Sequence, residues 1–120
     1  MDDKEKARII AEWVMEYTMQ FDTWADENGV DTGLMVDIVD GCQCYDPCDN
    51  IVQAWDAAGA WCDKNTGMVL TIYRYHFNGG SVGVSAHLGY RDNMTQFSGY
   101  GDELAESIVD ALLAALEVTL

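Results

Sequence analysis

The sequence has little positive charge. Six Lys and Arg residues stand against 21 Asp and Glu, which gives a formal net charge of -15 at pH 7. No Lys or Arg occurs between Ile9 and Asp63, a stretch that holds twelve acids. Nucleic acids and anionic membranes are polyanions that proteins bind through Lys and Arg, so the composition argues against direct binding to either. The expected partner is a basic protein or nucleoprotein complex, or a cation.

The sequence also lacks any long apolar run and holds one proline, Pro47. A helix that spans a membrane needs about 20 apolar residues, and no stretch approaches that length. Residues 1–6 lead into an amphipathic pattern and not into the apolar segment of a secretory signal. We therefore expect an intracellular protein, in the cytoplasm of a host cell, whose four cysteines are reduced thiols.

The apolar content is high enough to exclude a disordered acidic tail. Hydrophobic residues make up 49% of the 120 residues, and four Trp, six Tyr and three Phe are among them. Disordered acidic segments are poor in aromatic residues, whereas this chain can form a hydrophobic core. Its length suits one domain, which we place at residues 1–120.

The first predicted element is a long helix. Apolar residues recur at three- and four-residue steps from Ala7 to Trp24, with Asp2 or Asp3 as the cap and Asn28-Gly29 as the stop. Glu12 and Glu16 lie on the opposite face of this helix, about 5–6 Å apart at their Cβ atoms. We expect Trp13, Trp24 and Trp55 in the core and Trp61 partly exposed.

The remaining pattern predicts an α+β fold. A short apolar run at 34–40 is a candidate edge strand, and residues 42–50 are predicted to form a loop. A helix follows, capped by Asp49 or Asn50, with Ala54, Trp55 and Ala58 on its buried face. Alternating residues at 68–77, 81–90 and 95–100 predict a meander with a turn at Asn78-Gly79-Gly80, and a last helix follows Gly101-Asp102. The order is α-β-α-β-β-β-α: a single domain in which three helices pack on an antiparallel sheet, made of a three-stranded meander plus the candidate edge strand.

Two groups of residues are candidates for metal binding or catalysis. Four cysteines could supply thiolates to a zinc ion: Cys42, Cys44, Cys48 and Cys62. Their spacing differs from the paired Cys-x-x-Cys motifs of zinc ribbons and fingers. Free thiols, or a disulfide between the loop and Cys62, are the alternatives. His76 and His87 lie on neighbouring strands, and a face shared with Arg74 would invite acid–base chemistry. No nucleophile elbow or oxyanion loop precedes Ser81 or Ser85, so we expect no catalytic site and no cofactor.

Three segments of the second half carry a family resemblance. The segments that carry it are Tyr45-Asp46-Pro47, the run from Asn50 to Ala58 and the Ala-rich run from Ile108 to Leu116. Over roughly residues 45–120, the chain resembles the phage ABA sandwich domain family. The long acidic first helix and the cysteine cluster depart from that family's pattern. The resemblance implies phage or prophage origin and a small sandwich fold, and it carries no general activity. By class, the chain is similar to small acidic phage anti-defence proteins, the anti-CRISPR-like group.

The leading hypothesis is therefore a non-enzymatic, phage-encoded inhibitor. It is expected to bind a basic, nucleic-acid-binding surface of a host defence complex, such as a CRISPR effector, by presenting carboxylates where phosphates bind. The predicted partner-binding residues are Glu12, Glu16, Asp26, Glu27, Asp31, Asp37, Asp40 and Asp46.

Two alternatives remain open. The first is a small structural or adaptor protein of a phage assembly, whose acidity confers only solubility. The second is an enzyme or metal-dependent binder, which predicts stoichiometric zinc. The apolar end at 116–120 is a candidate dimer contact.

Overall fold

The computed structural model describes residues 2–25, 31–38 and 41–119, with side chains described for 2–17, 34, 36 and 44–117. The chain divides into two compact units, Met1–Asp46 and Pro47–Leu120. Each unit has its own three-stranded antiparallel sheet. The α+β class is confirmed, as are three α-helices and the meander in the predicted order. The single domain at 1–120 stays a prediction.

The first unit begins with helix α1, Asp3–Ile9, which continues as a π-helix at Ile10–Met15. The predicted Asp2 cap is confirmed, because its Oδ1 accepts a 2.8 Å hydrogen bond from the Glu5 N–H. The helical segment ends at Glu16, which adopts the left-handed conformation with φ of 58°. The buried side chains on this segment are Ala7, Ile10, Ala11 and Val14.

The prediction that this helix continues through Trp24 was wrong, because the π-helix ends at Met15 and residues 18–25 form a strand. The predicted stop at Asn28-Gly29 lies outside the described residues. Strand β1, Thr18–Ala25, pairs antiparallel with β2, Asp31–Ile38, which in turn pairs with β3, Gly41–Tyr45. The spacing of apolar residues in 17–24 suits a helix, but the Thr and aromatic content also suits a strand. Pairing with β2 provides hydrogen-bond partners for the strand backbone, and the spacing alone does not reveal that partner.

The predicted strand at 34–40 is confirmed as β2, although it is the middle strand of its sheet and not an edge strand. The predicted loop at 42–50 begins instead as strand β3. Leu34, Val36 and Tyr45 are buried in this unit, and the Tyr45 ring meets the Tyr17 ring edge-on at 5.6 Å. The first unit is therefore a helical segment and a small sheet with its own apolar contacts.

The second unit follows the predicted order closely. Helix α2, Ile51–Lys64, is followed by strands β4, Met68–His76, β5, Val82–Tyr90, and β6, Asn93–Gly101, and then by helix α3, Leu104–Thr119. Asn50 caps α2, because its side chain accepts a 3.1 Å hydrogen bond from the Gln53 N–H. The predicted β4–β5 turn is confirmed, with Gly79 and Gly80 at φ of 91° and 86°.

Helix α3 packs on β5 and β6, and α2 contacts α3 and β4. Ala86 and Gly99 are register partners on the sheet face toward α3. A Cβ added to Gly99 would overlap the Ser107 carbonyl oxygen and lie 2.6 Å from the Ala111 nitrogen. The helix backbone therefore approaches the sheet more closely here than any side chain on residue 99 allows.

The burial predicted for the tryptophans was wrong at three positions. Trp13 and Trp55 are 54% and 56% exposed, whereas Trp61 is 7% exposed and donates its indole N–H to the Met68 sulfur at 2.8 Å. In α2 the buried apolar residues are Ala54, Ala57, Ala58 and Trp61. Small residues let α2 approach its neighbours closely, and Trp61 lies one turn beyond them on the same face.

No helix in residues 2–25, 31–38 and 41–119 is long and apolar enough to cross a membrane.

Candidate functional site

The eight acids predicted to bind a partner all belong to the first unit. Glu12 is exposed on the π-helix and Glu16 is exposed at its end, where the chain turns toward β1. The backbones of Asp31 and Asp37 lie at opposite ends of β2, across from Ala25 and Thr18. Asp46 is half-buried after β3. Asp26, Glu27 and Asp40 lie outside the described residues, so the acidic surface stays a prediction.

In the second unit, the sheet face turned away from α3 carries a row of aromatic side chains. Along β4, the centroid of the Tyr75 ring is 6.4 Å from that of Tyr73 and 6.2 Å from that of Phe77, with interplanar angles of 31° and 28°. Tyr100 on β6 lies on the same face and is 66% exposed. We call Tyr73, Tyr75, Phe77 and Tyr100 the aromatic face. Exposed, rigid aromatic side chains are typical anchors of protein interfaces.

A partly buried series of hydrogen-bonded polar side chains lies among these rings, with Ser85 and His87 as its buried members. The Ser85 hydroxyl is 3.0 Å from the Tyr75 hydroxyl and 2.8 Å from Nε2 of His87, and Nδ1 of His87 is 2.8 Å from the Ser98 hydroxyl. Ser98 donates in turn to the Thr95 carbonyl at 3.2 Å. His87 also meets Tyr73 and Tyr100 edge-on. These hydrogen bonds link all three strands beneath the aromatic face, and Tyr73, Tyr75 and Tyr100 each contact them.

The Ser85–His87 pair is the nearest approach to a catalytic arrangement in the second unit. The Ser85 side chain is fully buried, so a substrate carbonyl has no access to its hydroxyl. His87 is oriented by the hydroxyl of Ser98, where a triad has a carboxylate. Burial lowers the pKa of His87 below its ordinary value of 6.5, so the ring is neutral at pH 7. The geometry fits a structural hydrogen-bond chain.

His87 does not share a sheet face with Arg74 and His76. His87 pairs with Thr71, whereas Arg74 and His76 pair with Val84 and Val82 on the opposite face. Strand alternation therefore separates the two histidines. The alternation of Tyr73, Tyr75 and Phe77 in the sequence was the signal for the aromatic face, although nothing in it showed that Tyr100 would join them.

Lowering the pH is expected to destabilise the fold through His87. Because its folded-state pKa is lowered, its stabilising contribution is complete above pH 6.5 and is lost as the pH falls from 6.5 to the folded-state value. Urea unfolding at about pH 8 and about pH 5.5 measures this loss, which should shrink in His87→Gln. His76→Gln, at an exposed histidine, is the matched control and should lose as much as the parent. An undiminished loss in His87→Gln would contradict the burial argument.

The cysteine cluster is only partly described. Cys44, Cys48 and Cys62 carry thiols, and the side chain of Cys42 lies outside the described residues. Burial, and secondarily Asp46, raises the pKa of the Cys44 thiol; burial, and secondarily Asp63, raises that of Cys62. Both thiols are therefore protonated at neutral pH and weakly reactive. Among the side chains that are described, no three His, Cys, Asp or Glu lie together to hold a metal ion.

Two cavities lined by described residues of the second unit are large enough to consider as binding sites. One of about 400 Å³ lies between α2 and β4 and is apolar apart from the Cys62 thiol; its lining is Trp55, Ala58, Gly59, Cys62, Met68, Val69 and Leu70. The other, of about 360 Å³, lies at the end of the aromatic face; its lining is Tyr75, Phe77, Gly83, Val84, Tyr100, Gly101 and Asp102. We call the second one the aromatic pocket. Its volume falls at the lower end of the range for ligand pockets, roughly 300–1,000 Å³.

These features define a class: a small, strongly acidic α+β protein with two three-stranded antiparallel sheets and an exposed aromatic face. The chain matches no protein-family model, no curated protein and no solved structure. The resemblance to the phage ABA sandwich domain family therefore stays a prediction, and function rests on the chemistry of the chain itself.

Proposed function

We propose that this protein is a non-enzymatic, phage-encoded inhibitor that acts in the host cytoplasm by binding a basic, nucleic-acid-binding surface of a host defence complex, of which CRISPR effectors are one kind. The observation that carries the proposal is the net charge of -15 on a chain that folds, with no Lys or Arg from Ile9 to Asp63. Uncompensated carboxylates repel one another and oppose compaction. A partner rich in Arg and Lys would relieve that repulsion and gain charge-assisted hydrogen bonds.

Two features of the second unit support binding as the activity. The aromatic face supplies large apolar side chains at low entropic cost, which suits a protein interface. The Ser85–His87 pair has a buried hydroxyl and no carboxylate partner, which suits structural support and not turnover. The host-defence setting rests on the resemblance to phage families.

The aromatic face also favours a second candidate, an adaptor in a phage assembly. Its exposed rings suit a partner of any charge, and in that case the acidity contributes solubility alone. Salt distinguishes the two candidates, because ion pairs at an exposed surface weaken as ionic strength rises and aromatic contacts do not.

Affinity capture from a host lysate tests the proposal. The expected partner is a nucleic-acid-processing complex that is retained at low salt, released at high salt and displaced by added nucleic acid. A phage structural protein retained at both salt concentrations would overturn the inhibitor proposal and support the adaptor. As a control, the lysate is treated with nuclease before capture. A partner that is still captured binds this protein directly and not through a bridging nucleic acid.

A further inference from the structure

The aromatic pocket has an arrangement of walls that the strand register explains. Strand β5 lies between β4 and β6, so its Gly83 separates Tyr75 and Phe77 on one side from Tyr100 on the other. Gly83 is the register partner of Tyr75 and has no side chain to fill the space between the rings. A Cβ added to Gly83 would lie 3.1 Å from Cε2 of Phe77. The pocket is therefore open because residue 83 is glycine.

The chemistry of the lining is aromatic and acidic. Among the described residues of the lining, Asp102 is the one that carries a charge, and it directly follows Gly101 in the sequence. Aromatic faces attract cations, and the carboxylate of Asp102 adds to that attraction. An anionic or purely apolar group would gain less from this site.

We infer that the aromatic pocket binds an arginine side chain from the basic surface of the partner. A guanidinium group is planar, so it stacks on the exposed ring faces while its N–H groups donate to Asp102. A lysine ammonium has no plane to stack and holds its water more tightly. The inference rests on the proposed function only for the source of the arginine, because the pocket itself belongs to this chain.

Binding of a small arginine probe tests the pocket without the partner. N-acetyl-arginine amide is titrated into the ¹⁵N-labelled full-length protein, with N-acetyl-citrulline amide as the uncharged probe of similar shape and N-acetyl-lysine amide as the second cation. We expect saturable shifts at the amides of Gly83, Gly101 and Asp102. The affinity for the arginine probe should be about fivefold to tenfold higher than for the citrulline probe.

Variants assign the binding to named side chains. Tyr100→Ala, Asp102→Asn and Gly83→Ala should each weaken binding of the arginine probe by about threefold or more. Tyr100→Phe keeps the ring and should bind almost as the parent does. Tyr90→Ala removes an exposed ring at the other end of β5 and is the matched control. Dispersed amide spectra confirm that each variant is folded before its affinity is compared.

Equal shifts with arginine and citrulline, or unsaturable shifts spread over the acidic residues, would overturn the assignment. So would undiminished binding in both Tyr100→Ala and Gly83→Ala. These failures are separate from a failure of the proposed function: the lysate capture can succeed with an empty pocket, and the pocket can bind arginine although no defence complex is captured.

Discussion

Reversing four acids of the first unit is expected to abolish tight binding to the captured partner. The variant replaces Glu12, Glu16, Asp26 and Glu27 with Lys, which changes the charge by two at each position and takes the net charge from -15 to -7. Two effects combine: weaker long-range attraction slows association, and carboxylate–Arg pairs at the contact are replaced by repulsion. Surface plasmon resonance at low salt should show affinity reduced by roughly 100-fold or more.

A charge-matched variant distinguishes the loss of carboxylates at the binding surface from the change in net charge. Asp56, Asp63, Asp92 and Glu117 are exposed acids outside the predicted surface, and replacing them with Lys gives the same net charge. This variant should associate more slowly, because steering depends on the whole field, while it keeps most of its lasting affinity. If both variants lose affinity equally, the carboxylates of the first unit form no localised site. If neither loses affinity, nucleic-acid mimicry is wrong.

Replacing Gly99 with Ala is expected to cause a large loss of stability from a single added methyl group. The added Cβ would overlap the Ser107 carbonyl oxygen and crowd the Ala111 nitrogen. Both atoms belong to the α3 backbone, so no side-chain rotation relieves the overlap and the helix must move off the sheet. Overpacking of this kind costs about 3 kcal/mol. Urea unfolding followed by circular dichroism measures the shift in midpoint.

Gly59→Ala is the control for that substitution. Gly59 lies within α2, and a Cβ built there has no atom within 4 Å. Alanine favours the helix over glycine by about 0.5–1 kcal/mol, so this variant should be slightly more stable than the parent. A Gly99→Ala variant as stable as the parent would show that α3 is not seated on β6 as the structure places it.

The second unit was more predictable than the first because its local signals agree with one another. Strict alternation from Met68 onward, the turn glycines and the Asn50 cap all indicate elements that the structure contains. In the first unit, the three- and four-residue spacing that continues to Trp24 suggested a helix where a strand forms. The sheet partner of that strand is a separate segment, β2, which follows it in the sequence, and helical periodicity carries no information about that pairing.

The tryptophans show a different limit. Trp55 and Trp61 both lie in α2, and hydrophobicity favours burying either ring. The structure buries the side carrying Ala54, Ala57 and Ala58, so Trp61 is buried beyond them and Trp55 is left exposed. The choice depends on how closely α2 approaches α3 and β4, which is a property of the packed unit and not of the helix alone.

The sequence by itself determined the charge, the class of the fold and the alternation that puts aromatic side chains on one side of β4. These follow from composition and from periods of two and 3.6 residues, which are local properties of the chain. Only the tertiary structure decided that Ser85, His87 and Ser98 form one hydrogen-bond chain and that Tyr100 faces Tyr75 and Phe77 across Gly83. The reason is that strand register sets which side chains meet, and register is fixed only when separate strands pair.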